Sequence, residues 1–333
     1  MAKIKPSKGA PYARILGVGG YRPIRVVPNE VILEKIDSSD EWIRSRSGIA
    51  TRHWASPEET VTAMSVEAAG KALADAGISP EQIGGVIVST VSHFKQTPAV
   101  ATEIADRITP SKPAAFDISA GCAGFGYGLT LAKGMVVEGS AEYVLVIGVE
   151  RLSDLTDLED RATAFLFGDG AGAVVVGPSA EPAIGPTVWG SEGDKSETIK
   201  QTVPWTDYRD GTVERFPAIT QEGQAVFRWA VFEMAKVAQQ ALDAAGIAAA
   251  DLDVFIPHQA NMRIIDSMVK TLKLPEHVTV ARDVETTGNT SAASIPLAME
   301  RLLATGQAKS GDTALVIGFG AGLVYAATVV TLP

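Results

Sequence analysis

The sequence repeats itself, and that repeat restricts the fold more than any other feature. Leu73-Ala74-Asp75-Ala76-Gly77-Ile78 resembles Leu242-Asp243-Ala244-Ala245-Gly246-Ile247, each reading as the end of an Ala-rich helix with a glycine stop. At the same spacing each runs on to an apolar strand, Val86-Ile87-Val88 in one copy and Phe255-Ile256-Pro257 in the other. Further on, Tyr143-Val144-Leu145-Val146-Ile147-Gly148 matches Thr313-Ala314-Leu315-Val316-Ile317-Gly318. Gly170-Ala171-Gly172 then matches Gly320-Ala321-Gly322, each followed by a valine-rich strand. Two copies of one α/β unit are therefore expected, an N-terminal half over residues 1–178 and a C-terminal half over 179–333. Near-continuous apolar strands need a sheet covered on both faces, and strands alternating with Ala-rich helices make parallel α/β layers. A polar insertion at about 191–222 carries Trp205 and Tyr208 and is expected to lie over a site rather than to act as a free linker.

Hydrophobic residues make up 46% of the 333 positions, ample for a large core and incompatible with disorder, collagen or coiled coil. Lys and Arg number 29 against 39 Asp and Glu, a net charge of -10, which argues against a nucleic-acid reader. Cys122 is the only cysteine, so no intramolecular disulfide or multi-cysteine metal site is available. Met1 to Pro6 has no apolar run of the signal-peptide kind, and a cytoplasmic protein is expected. Thr313 to Pro333 is uncharged and long enough to span a bilayer. Gly318-Phe319-Gly320-Ala321-Gly322 interrupts it, so two buried strands joined by a glycine turn are expected instead, with no membrane association. Zinc, P-loop and Gly-x-Ser-x-Gly motifs are absent, and the glycine clusters lead into strands, against a dinucleotide site.

The repeat also superposes chemistry. Strand Ala115–Ser119 leads into Gly121-Cys122-Ala123-Gly124-Phe125-Gly126, and Val280–Val284 leads into Thr287–Ser294. Aligning their Asp and Gly pairs sets Cys122 opposite Asn289, and aligning the preceding strands sets His258 opposite Ser89. If the copies pack about a pseudo-twofold axis, Cys122, His258 and Asn289 meet near it. A free cysteine is often just a small buried hydrophobe, a lone histidine a satisfied core residue, and an asparagine in Gly-Asn-Thr-Ser a helix cap. On a glycine-rich strand-to-helix turn, however, a thiol faces free N–H groups and a helix N-terminus. Those features lower a thiol pKa and build part of an oxyanion hole.

Gly-Cys-Ala-Gly-Phe, His-Gln-Ala-Asn, Gly-Asn-Thr-Ser-Ala-Ala-Ser and Gly-Phe-Gly-Ala-Gly occur in that order at 121–125, 258–261, 288–294 and 318–322. With them the chain resembles the β-ketoacyl-[acyl-carrier-protein] synthase III family from Gly17 to Leu332. The resemblance implies the duplicated thiolase-like fold, two similar βα halves with buried sheets in an αβαβα layering, and a homodimer. It implies that Cys122 takes an acyl group from acyl-CoA, and that His258 and Asn289 then stabilise the enolate formed as malonyl-acyl-carrier protein loses CO2. The N–H groups of Cys122 and Ala321 would hold the oxyanion. Trp42, Arg46 and Arg161 would hold CoA, with Gly223 and Asn261 along the pantetheine channel. Arg228, Gln259, Ala260, Asn261, Met262, Arg263 and Lys270 would meet the carrier protein. Thr97 stands where acetyl-restricted relatives have a bulky aromatic, implying a pocket open to branched primers. Acyl-CoA is a substrate, and no cofactor or metal is implied. A polyketide-priming ketosynthase or acyltransferase, or a silent CoA-binding paralogue, is the alternative.

Overall fold

The computed structural model describes residues 3–333. The first half forms a five-stranded sheet from β1 (Tyr12–Tyr21), β2 (Ile83–Ser89), β3 (Ala114–Ile118), β4 (Tyr143–Arg151) and β5 (Asp169–Ser179), in the order β1-β5-β4-β2-β3. The second half forms another from β6 (Val188–Ser191), β7 (Val254–Pro257), β8 (Thr279–Val280), β9 (Thr313–Gly320) and β10 (Val324–Thr331), in the order β6-β10-β9-β7-β8. The two orders are one topology. In each, the first three strands pair antiparallel and the last three parallel.

Helices Val61–Ala76 and Gly223–Ala245 cover the outer faces, and each ends at the glycine expected, Gly77 at φ 64° and Gly246 at φ 69°. Left-handed backbone at a helix stop is where glycine carries no Cβ penalty. Helices Gly124–Glu138 and Ser294–Ala304 pack against both sheets and form the middle layer. The architecture is αβαβα, the duplicated α/β fold expected from the repeat. The middle layer holds a core that includes Ile15, Phe125, Leu129, Val146, Ile256 and Ile295, all buried. Each such side chain stabilises the fold by about 1.5–3 kcal/mol through area removed from water. The apolar C-terminal stretch is β9 and β10, paired antiparallel. No helix among the described residues is long and apolar enough to cross a membrane.

The two halves meet through mirrored contacts. Gly121 and Ser291 open equivalent turns, Gly121–Ala123 and Ser291–Ala293, and both have φ 47°. A Cβ on Gly148 of β4 would lie 2.1 Å from the carbonyl oxygen of Ala292; one on Gly318 of β9 would lie 2.8 Å from that of Cys122. Each turn thus presses its carbonyl onto the other half's glycine. This corrects the alignment of the turns: the counterpart of Cys122 is Ala292, and Asn289 stands three residues earlier. Aspartate and glycine spacing misaligned them because the loop after β8 is longer. The pairing of Ser89 with His258 holds. Ser89 lies opposite Gly148, and the His258 N–H donates to Ile317 O, one residue before Gly318.

Candidate active site

Cys122 sits in the tight turn between β3 and the middle-layer helix Gly124–Glu138. The β9–β10 loop lies directly over it. A Cβ on Gly320 would be 3.0 Å from both Sγ and the backbone N of Cys122, so glycine is needed there for close approach. A Cβ on Gly121 would be 3.4 Å from the backbone N of Ala321, which brings that N–H beside the turn. Neither the Cys122 nor the Ala321 N–H donates in the loop and turn bonds around it. Burial, with the nearby Glu150 charge, pushes the thiol up to about 12. The expectation of a lowered thiol pKa is thus reversed. The solvation lost where the β9–β10 loop lies over the sulfur outweighs what one helix end restores.

His258 follows β7 and is 2% exposed. Its Nδ1 is 2.7 Å from Ser294 Oγ, and its ring meets Phe319 edge to face at 5.4 Å. Ser294 Oγ accepts the Gln259 N–H at 3.3 Å and has one proton to give, for which Nδ1 is the acceptor at hydrogen-bond distance among the described residues. The ring proton is then assigned to Nε2, the nitrogen left to the cavity. Burial lowers the His258 pKa to about 3, so the imidazole is neutral across the working range and is a hydrogen-bond donor rather than a cation. Asn289 is held by backbone bonds to Leu166 and Gly168. Its Oδ1 accepts the Ser291 N–H at 2.9 Å, which leaves the amide N–H groups for the cavity. Cys122, His258, Asn289 and Ala321 line one cavity of about 200 Å³. Its walls include Val91, Leu152, Leu155 and Phe167. The insertion adds a hairpin, Ile199–Gln201 paired with Ile219–Gln221, that closes the cavity from above. A nucleophile, two neutral donors and two backbone N–H groups around one largely apolar pocket suit acyl transfer and carbanion chemistry.

A second cavity of about 480 Å³ opens outward from Asn289 and Ala260. Arg46, Arg228 and Arg263 stand in its wall with no carboxylate among its lining. None of the three forms an ion pair among the described residues. Gly223 and Asn261 line it too. At the rim, helix Asp40–Ser47 starts on Ser39, whose Oγ accepts the Trp42 N–H, and stops at Gly48 with φ 77°. Trp42 and Arg46 are four apart and share a face. The Arg161 guanidinium lies 5.1 Å and that of Arg46 5.9 Å from the Trp42 ring centre. Both guanidinium groups therefore lie against the one indole ring at the rim of this cavity.

The family model for 3-oxoacyl-[acyl-carrier-protein] synthase III matches residues 116–193, and the model for the C-terminal part of that family matches 242–332. The chain is 90% identical over its full length, and the full length of the relative, to β-ketoacyl-[acyl-carrier-protein] synthase III of Streptomyces glaucescens. It belongs to the β-ketoacyl-[acyl-carrier-protein] synthase III family. A mycobacterial synthase III of Mycobacterium marinum is 53% identical over 100% of this chain and 99% of that one. Among solved structures, the priming β-ketosynthase of the R1128 polyketide pathway superposes with a TM-score of 0.96 at 45% identity, covering 100% of this chain and 98% of that one. The synthase III of Aquifex aeolicus gives 0.87 at 38%, covering 96% and 99%.

Within this synthase III fold the residues expected at the carrier-protein surface separate. Arg228 and Arg263 are exposed at the mouth, Arg263 over the Phe227 ring at 4.9 Å. Lys270 is exposed on the same helix, Met262–Leu272, but two turns beyond the mouth. Gln259 is corrected: it is 0% exposed, and its amide bonds Pro257 O, Ala281 O and the Val284 N–H, so it braces the loop after β7 and offers no surface to a partner. Asn261 caps the Met262–Leu272 helix through Oδ1 and donates to Arg46 O at 3.0 Å, tying the Trp42 helix to the second half. Met262 packs where Gly48 leaves room. Thr97 is exposed and outside this chain's own cavity. Sequence reasoning passed over Ser294 and Ser291, although both lie in the 288–294 motif; the hydroxyls there were the available signal.

Proposed function

We propose that this enzyme condenses a short acyl-CoA primer with malonyl-acyl-carrier protein, starting fatty-acid synthesis by a ping-pong route. In the first half-reaction the Cys122 sulfur attacks the thioester carbonyl, the N–H groups of Cys122 and Ala321 take the oxyanion, and CoA leaves. In the second, the thioester carbonyl of malonyl-acyl-carrier protein accepts hydrogen bonds from His258 Nε2 and Asn289 Nδ2. Charge passing to that oxygen as CO2 departs is stabilised there, and the carbanion attacks acyl-Cys122. A neutral His258 suits this role, because a donor is needed and no proton has to move. The convergence of Cys122, His258 and Asn289 on one cavity is the observation that carries the reading.

Trp42 and Arg161 are assigned to the adenine, Arg46 to the CoA phosphates, and Gly223 to the pantetheine path. Arg228 and Arg263 are assigned to the acidic carrier protein, whose approach to a chain of net charge -10 needs a local basic mouth. We read the enzyme as a cytoplasmic homodimer. β3 leaves one edge of its sheet unpaired, and Thr97, exposed in the single chain, gains a role as wall of the partner's acyl pocket. Branched four- and five-carbon primers are then accepted beside acetyl. No resident cofactor enters this chemistry. The polyketide-priming alternative rests on likeness at 45% identity, the present reading on 90%. Purified protein given acyl-CoA and malonyl-carrier protein should yield β-ketoacyl-carrier protein, CO2 and free CoA in equal amounts. CoA release without a condensed product would overturn the reading.

A further inference from the structure

Asp169, the first residue of β5, is 1% exposed and forms no ion pair among the described residues. Both of its oxygens are taken by donors from other segments. Oδ1 accepts the Ser153 N–H at 2.8 Å, and Oδ2 accepts the Ser153 hydroxyl at 2.6 Å and the Ala55 N–H at 2.8 Å. Ser153 stands in the short turn Leu152–Leu155, whose two end leucines line the cavity that holds Cys122. Ala55 follows strand Thr51–Trp54, and the Trp54 Nε1–H donates at 3.4 Å to the carbonyl of Phe167, a third lining residue. One carboxylate thus ties the turn behind one wall of the cavity to a strand end and to the start of β5. Val91, in the same lining, is fixed by a similar device. Glu150, 0% exposed on neighbouring β4, accepts the Val91 N–H at 3.1 Å and the Ser92 hydroxyl at 2.5 Å.

We propose that Asp169 is a positioning residue for primer selection: by holding Ser153 it fixes Leu152 and Leu155, and so sets the size of acyl group that fits beside Cys122. It touches no reacting atom. Each of its oxygens accepts a backbone N–H, so an amide of the same shape sets its NH2 against an N–H donor in either orientation. An apolar side chain leaves both N–H groups and the hydroxyl without this acceptor. Burial raises the carboxyl to about 6, so desolvating its charge costs stability, and its bonds go to the wall rather than to a cation.

The second half-reaction is insulated from this tie. Asn289 is held by backbone bonds to Leu166 and Gly168, and His258 by Ser294; none of these involves Asp169. The wall therefore governs which acyl group enters and leaves malonyl decarboxylation alone.

The inference rests on the acyl group occupying this cavity, so its size selection is measured first without acyl-CoA. Wild type, Asp169→Asn, Ser153→Ala and Ser153→Thr are treated with methyl and hexyl methanethiosulfonate, and the ratio of Cys122 modification rates is normalised to that of glutathione. Single-turnover acylation by acetyl-CoA and by hexanoyl-CoA follows, then decarboxylation by preformed acetyl-enzyme. Wild type should favour the methyl reagent and the acetyl primer. Asp169→Asn should cut both preferences by about tenfold, the discrimination one methylene commands in an apolar pocket, with decarboxylation unchanged. Ser153→Ala keeps the backbone bond and should cut them by about threefold, as the loss of one hydrogen bond does. Ser153→Thr should restore them. Wild-type preferences in Asp169→Asn overturn the proposal, as does an equal fall in both acylations and in decarboxylation, the mark of a merely weakened fold. Where Asp169→Asn does not fold, wild-type preferences in Ser153→Ala overturn it instead. Should the reagent preference narrow as stated while neither acyl-CoA loads Cys122, the wall assignment stands and the synthase reading fails.

Discussion

Replacing Ser294 by alanine measures how far decarboxylation depends on one fixed imidazole tautomer. Ser294 Oγ is 2.7 Å from His258 Nδ1 and takes the Gln259 N–H at 3.3 Å. Without the hydroxyl, nothing in that buried contact keeps the ring proton on Nε2. A hydrogen bond of this kind contributes a net of about 0.5–1.5 kcal/mol. At about 1.4 kcal/mol per tenfold, the donor tautomer should lose about 2- to 13-fold of its advantage. Decarboxylation should fall by that factor, well short of the roughly 10² to 10³ expected for removing the donor itself. Nδ1 and the Gln259 N–H are also left unpartnered, at about 1–3 kcal/mol of stability, so Tm should drop by a few degrees. The assay mixes preformed acyl-enzyme with malonyl-carrier protein and follows CO2, while acyl transfer from CoA is measured on its own. Unchanged decarboxylation, or an equal fall in acyl transfer, would refute the assigned tautomer.

His258→Ala and Asn289→Ala should each lose about 10² to 10³ in decarboxylation yet still accept an acyl group from CoA; an Asn289→Ala enzyme that decarboxylates normally removes that residue from the site. Because His258 stays neutral down to about 3, decarboxylation by wild type should show no histidine limb between about pH 5 and 9, and a limb near its ordinary value of about 6.5 would contradict the buried ring. Reversing the charge of Arg263 together with Lys270 should raise the carrier-protein KM and flatten its salt dependence, with Arg263 contributing more because it stands at the mouth; an unchanged KM in low salt counts against the patch. Thr97→Phe should shift competition between acetyl-CoA and isobutyryl-CoA toward acetyl by about an order of magnitude, since crowding a methyl group costs about 1–3 kcal/mol; an unchanged ratio means Thr97 is not the gate.

The layers were legible because the repeat carries them: glycine stops at 77 and 246 and matching apolar strands made both halves readable. The meeting of Cys122, His258 and Asn289 was legible from the motifs, while the repeat placed His258 correctly and set Asn289 three residues out of register. The pairing of side chains was not. His258 and Ser294 are 36 residues apart, and Glu150 and Ser92 are 58 apart; only the folded sheets bring them into contact. Gln259 and Asn261 look alike in sequence, polar and just after a strand. One is sealed in by three internal hydrogen bonds and the other is spent on a cap and a cross-link. The thiol's proton affinity also escaped the sequence, since it depends on how completely the cavity walls exclude water. The turn alignment slipped by three because φ 47°, shared by Gly121 and Ser291, leaves no trace in residue type when one position is serine.

The central claim is that Cys122 is the acyl acceptor. Intact-mass and peptide mass spectrometry of the protein after brief exposure to acyl-CoA, without malonyl-carrier protein, tests it most directly. One acyl group per chain is predicted on the peptide containing Cys122, lost on adding malonyl-carrier protein and absent from Cys122→Ala. An acyl group on any other residue, or condensation by the Cys122→Ala variant at the wild-type rate, would contradict the account.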